Sequence, residues 1–358
     1  MIRRRYLSGL FIGRLLAALL GLASLIQLLD LLDRASEVLH RGGMADLARY
    51  AGLRLPSVLG QMVPLAVLVA GMLTLRRLAM TLEMTALRAA GIPVRRVLTT
   101  LLPACLLAAL VQAVLLGVVA PRTERALARW WAQTDSRAME AEQDDTAPKR
   151  RVWLRAGNEI VGIDRVSIDG TQLQGVLLVP RGPDALARAR IQADSAVYSD
   201  AGWTLKGVRT AQANGSALIR TASQPWPDGP PPANIVDLAR PTEAQEPLWL
   251  LRALRREQAV DRGPAFYATR LQGSAARLFG AFIMLLLAAP VAFEMPRRGG
   301  GALRPLLGLC LGLGYLLLAG LLSALGEAGV IPVTLAVWTA PILFAAIGGM
   351  LLMRFEEQ

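Results

Sequence analysis

Arginine supplies most of the candidate chemistry in this chain. Lys and Arg together number 39, and only Lys149 and Lys206 are lysines. A guanidinium is a permanently charged planar fork that matches phosphate and carboxylate, so this chemistry is anion recognition and ion pairing rather than proton transfer. One group, Arg76, Arg77, Arg88, Arg95 and Arg96, surrounds a single acid, Glu83. The residues between are good helix formers up to Gly91, a natural C′ glycine, with Pro93 beyond it. A second group lies at the ends of apolar runs: Asp30, Asp33, Arg34, Arg54, Arg122, Arg125, Arg129, Arg270 and Arg277. Two readings of it stand side by side. These residues either snorkel and pair with lipid phosphates, or line a site for an anionic, lipid-tailed ligand. Catalytic constellations are missing. There is no P-loop, no Gly-x-Ser-x-Gly and no His-Glu-x-x-His, and a Ser/His/Asp triad would have to use His40, the one histidine. No metal site is expected around His40, and Cys105 and Cys310 lie in apolar runs as small hydrophobes.

The apolar runs that must position these residues are long. Hydrophobic residues make up 54% and charged residues 18%, so membrane spans and a soluble part share 358 residues. A span needs about 20 mostly apolar residues. The expected spans are Leu7–Leu29, Pro56–Leu75, Val97–Pro121, Leu278–Phe293 extended back toward Leu271, Pro305–Gly326 and Ala328–Met353. The first follows Arg3, Arg4 and Arg5 without a convincing cleavage site and reads as a retained anchor. Basic residues concentrate at the N-terminus, at 76–96 and at Arg297, Arg298 and Arg304, which puts both termini and the 76–96 segment in the cytoplasm. The net charge of +12 reflects these anchors rather than nucleic-acid binding.

Between the third and fourth spans the pattern changes. A charged helix, Arg122–Gln143, leaves the third span and a polar break follows at 144–150. From Arg151 the period is two: Val152–Leu154, Glu159–Ile163, Val166–Ile168, Leu173–Val179, Ala189–Tyr198, Trp203–Val208 and Ala217–Ile219 read as strands, with Asp169-Gly170 and Asp200-Ala201-Gly202 as turns. Short strands without intervening helices predict an antiparallel sandwich or open barrel, closed by the Pro-rich stretch Pro225–Pro232. A short helix at Leu248–Leu254 leads back to the membrane. The expected fold is an α-helical membrane protein of six transmembrane helices, three plus three, with an inserted all-β domain. Residues 1–121 hold the first three spans, 122–265 the external segment with a β core at about 151–224, and 266–358 the last three spans.

Several segments resemble the lipopolysaccharide-export permeases LptF and LptG. They are Pro64–Ala70, Arg77-Leu78, Leu82-Glu83-Met84, Ala86–Gly91, Ala120-Pro121 before a charged helix, and Val152–Asn158 through Ile163 to Gly175-Val176. The resemblance runs nearly end to end. Arg5-Tyr6 and the tail Gly329–Pro332 with Trp338 and Pro341 look closer to LptG. It implies the permease of an ABC-type exporter, with no catalytic residues and no cofactor of its own. ATP and magnesium would be bound by a partner ATPase dimer of LptB type. The other implied partners are an LptF-type permease, LptC-type and LptA-type jellyroll proteins, and lipopolysaccharide. The implied location is the Gram-negative inner membrane, with a jellyroll-like domain in the periplasm. By the same resemblance residues 79–91 are a coupling helix, with Glu83 as its acid and Arg77, Leu87, Arg88 and Gly91 as its motif neighbours. Arg34 matches a basic residue at the outer end of the first span. Gln27 and Asp33 fall where LptG-type sequences carry further bases, which shifts the expected phosphate contacts toward Arg54, Arg122, Arg125 and Arg129 beside Asp30. Leu82 stands where a serine often precedes the coupling acid. Two other classes share the topology: a membrane sensor or scaffold that does not need Glu83, and a lipid-modifying enzyme using Asp30 and Asp33.

Overall fold

The computed structural model describes residues 2–134, 152–167, 169–182, 187–199, 201–212, 219–238, 246–255, 260–290 and 303–356. The expected break at 144–150, the end of the fourth span at Phe293, and Arg297 and Arg298 lie outside them. The chain divides into two compact units, residues 1–124 with 268–358, and residues 125–267.

The first unit is built from helices long and apolar enough to cross a membrane, six among the described residues. They are α1 (Ile2–Gly42), α2 (Met44–Met80), the pair α4 (Val94–Val114) and α5 (Ala120–Thr134) joined through a π turn, α8 (Pro264–Leu287), α9 (Leu303–Glu327) and α10 (Val333–Glu356). A seven-residue helix, α3 (Glu83–Ala89), lies between α2 and α4. The first two helices run well past the expected spans. Residues 30–55, which lie between the expected first and second spans, continue both helices and reverse at Gly43, whose φ of 78° suits glycine. Helix α2 is the hub of the bundle. Of its apolar window 61% is buried, against 11% for the first helix. It meets α4, α8 and α9 in one core that includes Val67, Leu68, Leu101, Met284 and Tyr315. Small residues set these approaches: a Cβ at Gly60 would lie 2.6 Å from Leu116 and one at Gly71 would lie 3.0 Å from Ala288. The π turn, Leu115–Val119, precedes Pro121. Proline cannot donate to the carbonyl four residues back and clashes with it, and the widened turn accommodates this without breaking the helix.

The second unit holds a six-stranded antiparallel sheet: β1 (Val152–Ala156), β2 (Glu159–Val166), β3 (Gln172–Pro180), β4 (Ala189–Ser199), β5 (Gly202–Gln212) and β6 (Ile219–Trp226), in sequential order. Helices α6 (Pro232–Leu238) and α7 (Pro247–Leu254) add Ile235, Leu238, Trp249 and Leu250 to its buried residues. The connectivity is a plain meander, yet the sheet is not flat. Trp226 on β6 donates its indole N–H to Glu159 on β2 at 3.0 Å, although four strand spacings would separate them by about 19 Å in a flat sheet. The fold line is visible in the burial pattern. Leu173 and Val176, Ala193 and Ala196, and Leu205 and Val208 are all buried, and the members of each pair are three residues apart. A regular strand would put such pairs on opposite faces, so the face turned inward changes at this level although the pairing register runs on without an inserted residue. In β3 and β5 a glycine with positive φ lies at the change, Gly175 at 62° and Gly207 at 64°. The carboxylates of Asp164 and Asp194 sit where their Cβ atoms would be. The inner face thus stays apolar through the bend, giving a folded-over, jellyroll-like domain. Burial and nearby Asp228 raise the Glu159 carboxyl above the usual range, partly offset by the Trp226 hydrogen bond. At the β2–β3 turn Asp169 accepts from Ser167 and Thr171, which holds its carboxyl down at about 2.

Strand β6 departs from expectation. Residues 219–226 are an edge strand that includes Pro225, whereas the last strand was expected to end at Ile219 and the closing stretch to begin at Pro225. Its residues are almost all exposed, so no alternation marks it, and proline is tolerated at an edge. Residues 217 and 218 lie outside the described residues.

Candidate functional site

Two clusters in the first unit collect most of the residues singled out from sequence. At one end α1, α2 and α5 meet around Arg54. Its Nη1 lies 2.7 Å from Glu124 Oε1, and its Nε lies 3.8 Å from Asp30 Oδ2. Ser57 donates to the same Glu124 oxygen at 2.6 Å, and Tyr50 donates to Asp30 at 2.8 Å. The cluster is therefore one cation held between two carboxylates, each further tied by a hydroxyl. Arg54 braces three helices, and an anion reaching its guanidinium has to compete with Glu124. Glu124, Ser57 and Tyr50 were not among the expected site residues. The available signal was that Glu124 is the lone acid in an arginine-rich helix, as Glu83 is in its segment.

The other residues expected at the outer interface divide. Arg34, Asp33 and Arg122 are exposed. Gln27, one turn inward from Asp30, is buried, and neither its Oε1 nor its Nε2 meets a partner among the described residues. An amide in that state costs about 1–3 kcal/mol relative to a paired one. Within the second unit Arg125 pairs with Glu246 at 2.9 Å, and exposed Arg129 reaches the Arg125 carbonyl at 3.4 Å. Of the expected arginines, 54 and 125 pair with carboxylates, and the side chains of 34, 122 and 129 are exposed.

At the opposite end of α2, the chain turns through Thr81 and Leu82 into α3. The helix is shorter than the expected 79–91, because Ala79 and Met80 complete α2. Its C-terminus is closed by a Schellman pair: Gly91, at φ 75°, donates to the Arg88 carbonyl, and Ile92 donates to the Leu87 carbonyl, both at 2.9 Å. Met84 and Leu87, three apart and so on one helical face, are buried in the bundle core with Leu75, Leu78, Val94 and Val97. Leu87 is therefore an anchor of the helix and not part of its exposed face. Arg77, Arg88 and Gly91 are exposed. Glu83 opens the first turn, where a carboxylate suits the helix dipole, and accepts from the Thr81 hydroxyl at 3.1 Å. The arrangement is a short lever, pinned on one side to the ends of α2 and α4 and open on the other.

Among the described residues no group of three His, Cys, Asp or Glu side chains is placed to hold a metal ion. No individual curated protein matches the chain. A family model described as Lipopolysaccharide export system permease LptF/LptG matches residues 5–354, nearly the whole length. Six membrane-spanning helices, a β domain between the third and fourth, and a match of that extent lead to one conclusion: the chain belongs to the LptF/LptG family of lipopolysaccharide export permeases.

Proposed function

We propose that this permease forms one half of an ABC-type exporter that takes lipopolysaccharide from the outer leaflet of the inner membrane, and that it is of the LptG type. An LptF-type permease supplies the other half, and an LptB-type ATPase dimer binds ATP and magnesium below the membrane. LptC-type and LptA-type jellyroll proteins carry the lipid onward. Both termini and α3 face the cytoplasm, following the arginine distribution. The observation that carries the reading is the anchoring of α3. Met84 and Leu87 lock it into the core that holds α2 and α4, so a force on its exposed face is delivered to two membrane helices at once. Closure of the ATPase dimer on nucleotide would tilt α3 and those helices together. That collapses an outward cavity and makes the bound state of the lipid unfavourable.

At the outer end the exposed arginines 34 and 122 meet the lipid phosphates, and the Gln27 amide offers hydrogen bonds to a polar headgroup. Arg54 keeps the three helices in register and exchanges Glu124 for phosphate only when the cavity is loaded. The folded sheet, with its continuous apolar interior, offers the acyl chains a path onward. The test is Glu83→Ala in the assembled exporter. We expect ATP-driven lipopolysaccharide release to fall at least tenfold while the permease still folds. Normal release from the Glu83→Ala complex would favour a sensor or scaffold, and lipid conversion by the permease without ATPase would favour an enzyme.

A further inference from the structure

Arg14 interrupts the apolar run of α1. It follows Phe11 by three residues and Leu7 by seven, both buried in the bundle core, so it flanks the packed side of that helix. Its side chain is half-buried, and its Nη1 is shut off from solvent with no hydrogen-bond partner among the described residues. The electrostatic neighbours of this guanidinium are Arg77 near the end of α2 and the Tyr6 phenol, and no carboxylate is among them. Helical side chains lean toward their helix N-terminus, which carries the Arg14 fork toward the level of Arg77 on the antiparallel α2. Arg77 is itself exposed and makes no ion pair among the described residues. Two guanidiniums therefore share one place with no acid between them. A charge kept inside an apolar helix is costly to leave unpaired, and it points to an anion from outside the chain.

We infer that Arg14 and Arg77 together bind the phosphate of an anionic glycerophospholipid, in the leaflet on the α3 side of the membrane. That leaflet is the cytoplasmic one in the orientation proposed above, so this lipid is distinct from the exported cargo. The level fits a headgroup, because the apolar run of α2 ends at Leu75, just before Arg77. Each planar fork can take two phosphate oxygens, and two cations favour a lipid of net negative charge. Apolar surface continues inward from both arginines. Leu73, four residues before Arg77 and so on the same face of α2, is 47% exposed. At Gly21, seven residues after Arg14, no atom lies within 4 Å of where a Cβ would be, which leaves the α1 surface open to acyl chains. The bound lipid would fasten α1, whose apolar window is only 11% buried, to the hub helix α2.

The test uses the full permease pair with its ATPase in neutral micelles, phosphatidylglycerol as the probe, and native mass spectrometry to count bound lipid. The parent should retain one more phosphatidylglycerol than the Arg14→Gln complex. The affinity of that site should fall by about tenfold to a hundredfold, the loss expected for one charged hydrogen-bonding partner. Arg77→Gln should lose the same lipid, and Arg354→Gln, at the exposed end of α10, should keep it. Arg14→Gln removes a stranded charge, so without lipid the variant should unfold at the same or a higher temperature, which separates lost binding from lost folding. Equal retention by the parent and Arg14→Gln overturns the site. Diacylglycerol held as tightly as phosphatidylglycerol overturns the phosphate as the recognised group. Displacement of the lipid by inorganic phosphate at equal concentration overturns the lipid as the occupant. Retention does not depend on which way the chain crosses the membrane, so these results judge the site independently of the proposed orientation.

Discussion

Replacing Glu124 tests whether the cluster around Arg54 is a structural brace. The Arg54–Glu124 contact is 2.7 Å, with the side chains 27% and 14% exposed. At an effective dielectric of about 20, unit charges at that distance attract by about 6 kcal/mol before desolvation is counted. Desolvation offsets most of that sum, so the net worth of the pair is small. Removing one partner is different, because it leaves the other charge stranded, which costs about 3–5 kcal/mol for a fully buried pair. Asp30 at 3.8 Å still attends Arg54, and partial exposure lets water approach, so we expect about 2–3 kcal/mol for Glu124→Ala. That figure includes the orphaned Ser57 hydroxyl. Glu124→Gln keeps an acceptor for Arg54 and Ser57 and should cost about 1–2 kcal/mol. Arg54→Met with Glu124→Leu removes both charges and should lie closer to the parent than either single change. Reversible unfolding in mixed micelles of the parent, Arg54→Met, Glu124→Leu and the double variant measures the cycle. Single variants within about 0.5 kcal/mol of the parent, and additive in combination, would refute the brace.

Two further outcomes follow from the β domain. Glu159, whose carboxyl is raised above the usual range by burial, favours the fold when protonated; its contribution is lost as pH rises from the ordinary glutamate range through the raised value. Glu159→Gln keeps an acceptor for Trp226, so it should stabilise the domain at neutral pH and flatten that dependence, read as unfolding midpoint against pH. Gly175→Ala places a Cβ against the Asp164 carboxylate at φ 62° and should cost about 1–3 kcal/mol by the same assay; Gly202→Ala, where the space for a Cβ is open, should cost less.

The architecture was legible from periodicity, because membrane spans and half-buried strands carry the strongest sequence signals. What escaped has identifiable causes. Residues 30–55 interrupt the apolar runs with charges, but charged residues also suit helix ends that stand clear of the hydrocarbon. Strand β6 has no buried face to show. The fold line across β3, β4 and β5 breaks the period of two that revealed the strands in the first place. Sequence marks the arginines as charged candidates but cannot say which of them the fold pairs with carboxylates. Arg54 and Arg125 have carboxylate partners 70 and 121 positions away along the chain. Leu87 lies in the short helix α3 but is buried in the bundle core, which only the packing reveals.

The most direct measurement is photo-crosslinking to lipopolysaccharide in living cells, scanning Asp30–Arg34 at the outer end of α1 and Ile160–Val179 in the β domain. The account predicts adducts in both segments, with those at 160–179 disappearing when ATP hydrolysis by the partner is blocked. Adducts at 160–179 that persist without hydrolysis, or none at 30–34 with the exporter running, would contradict it.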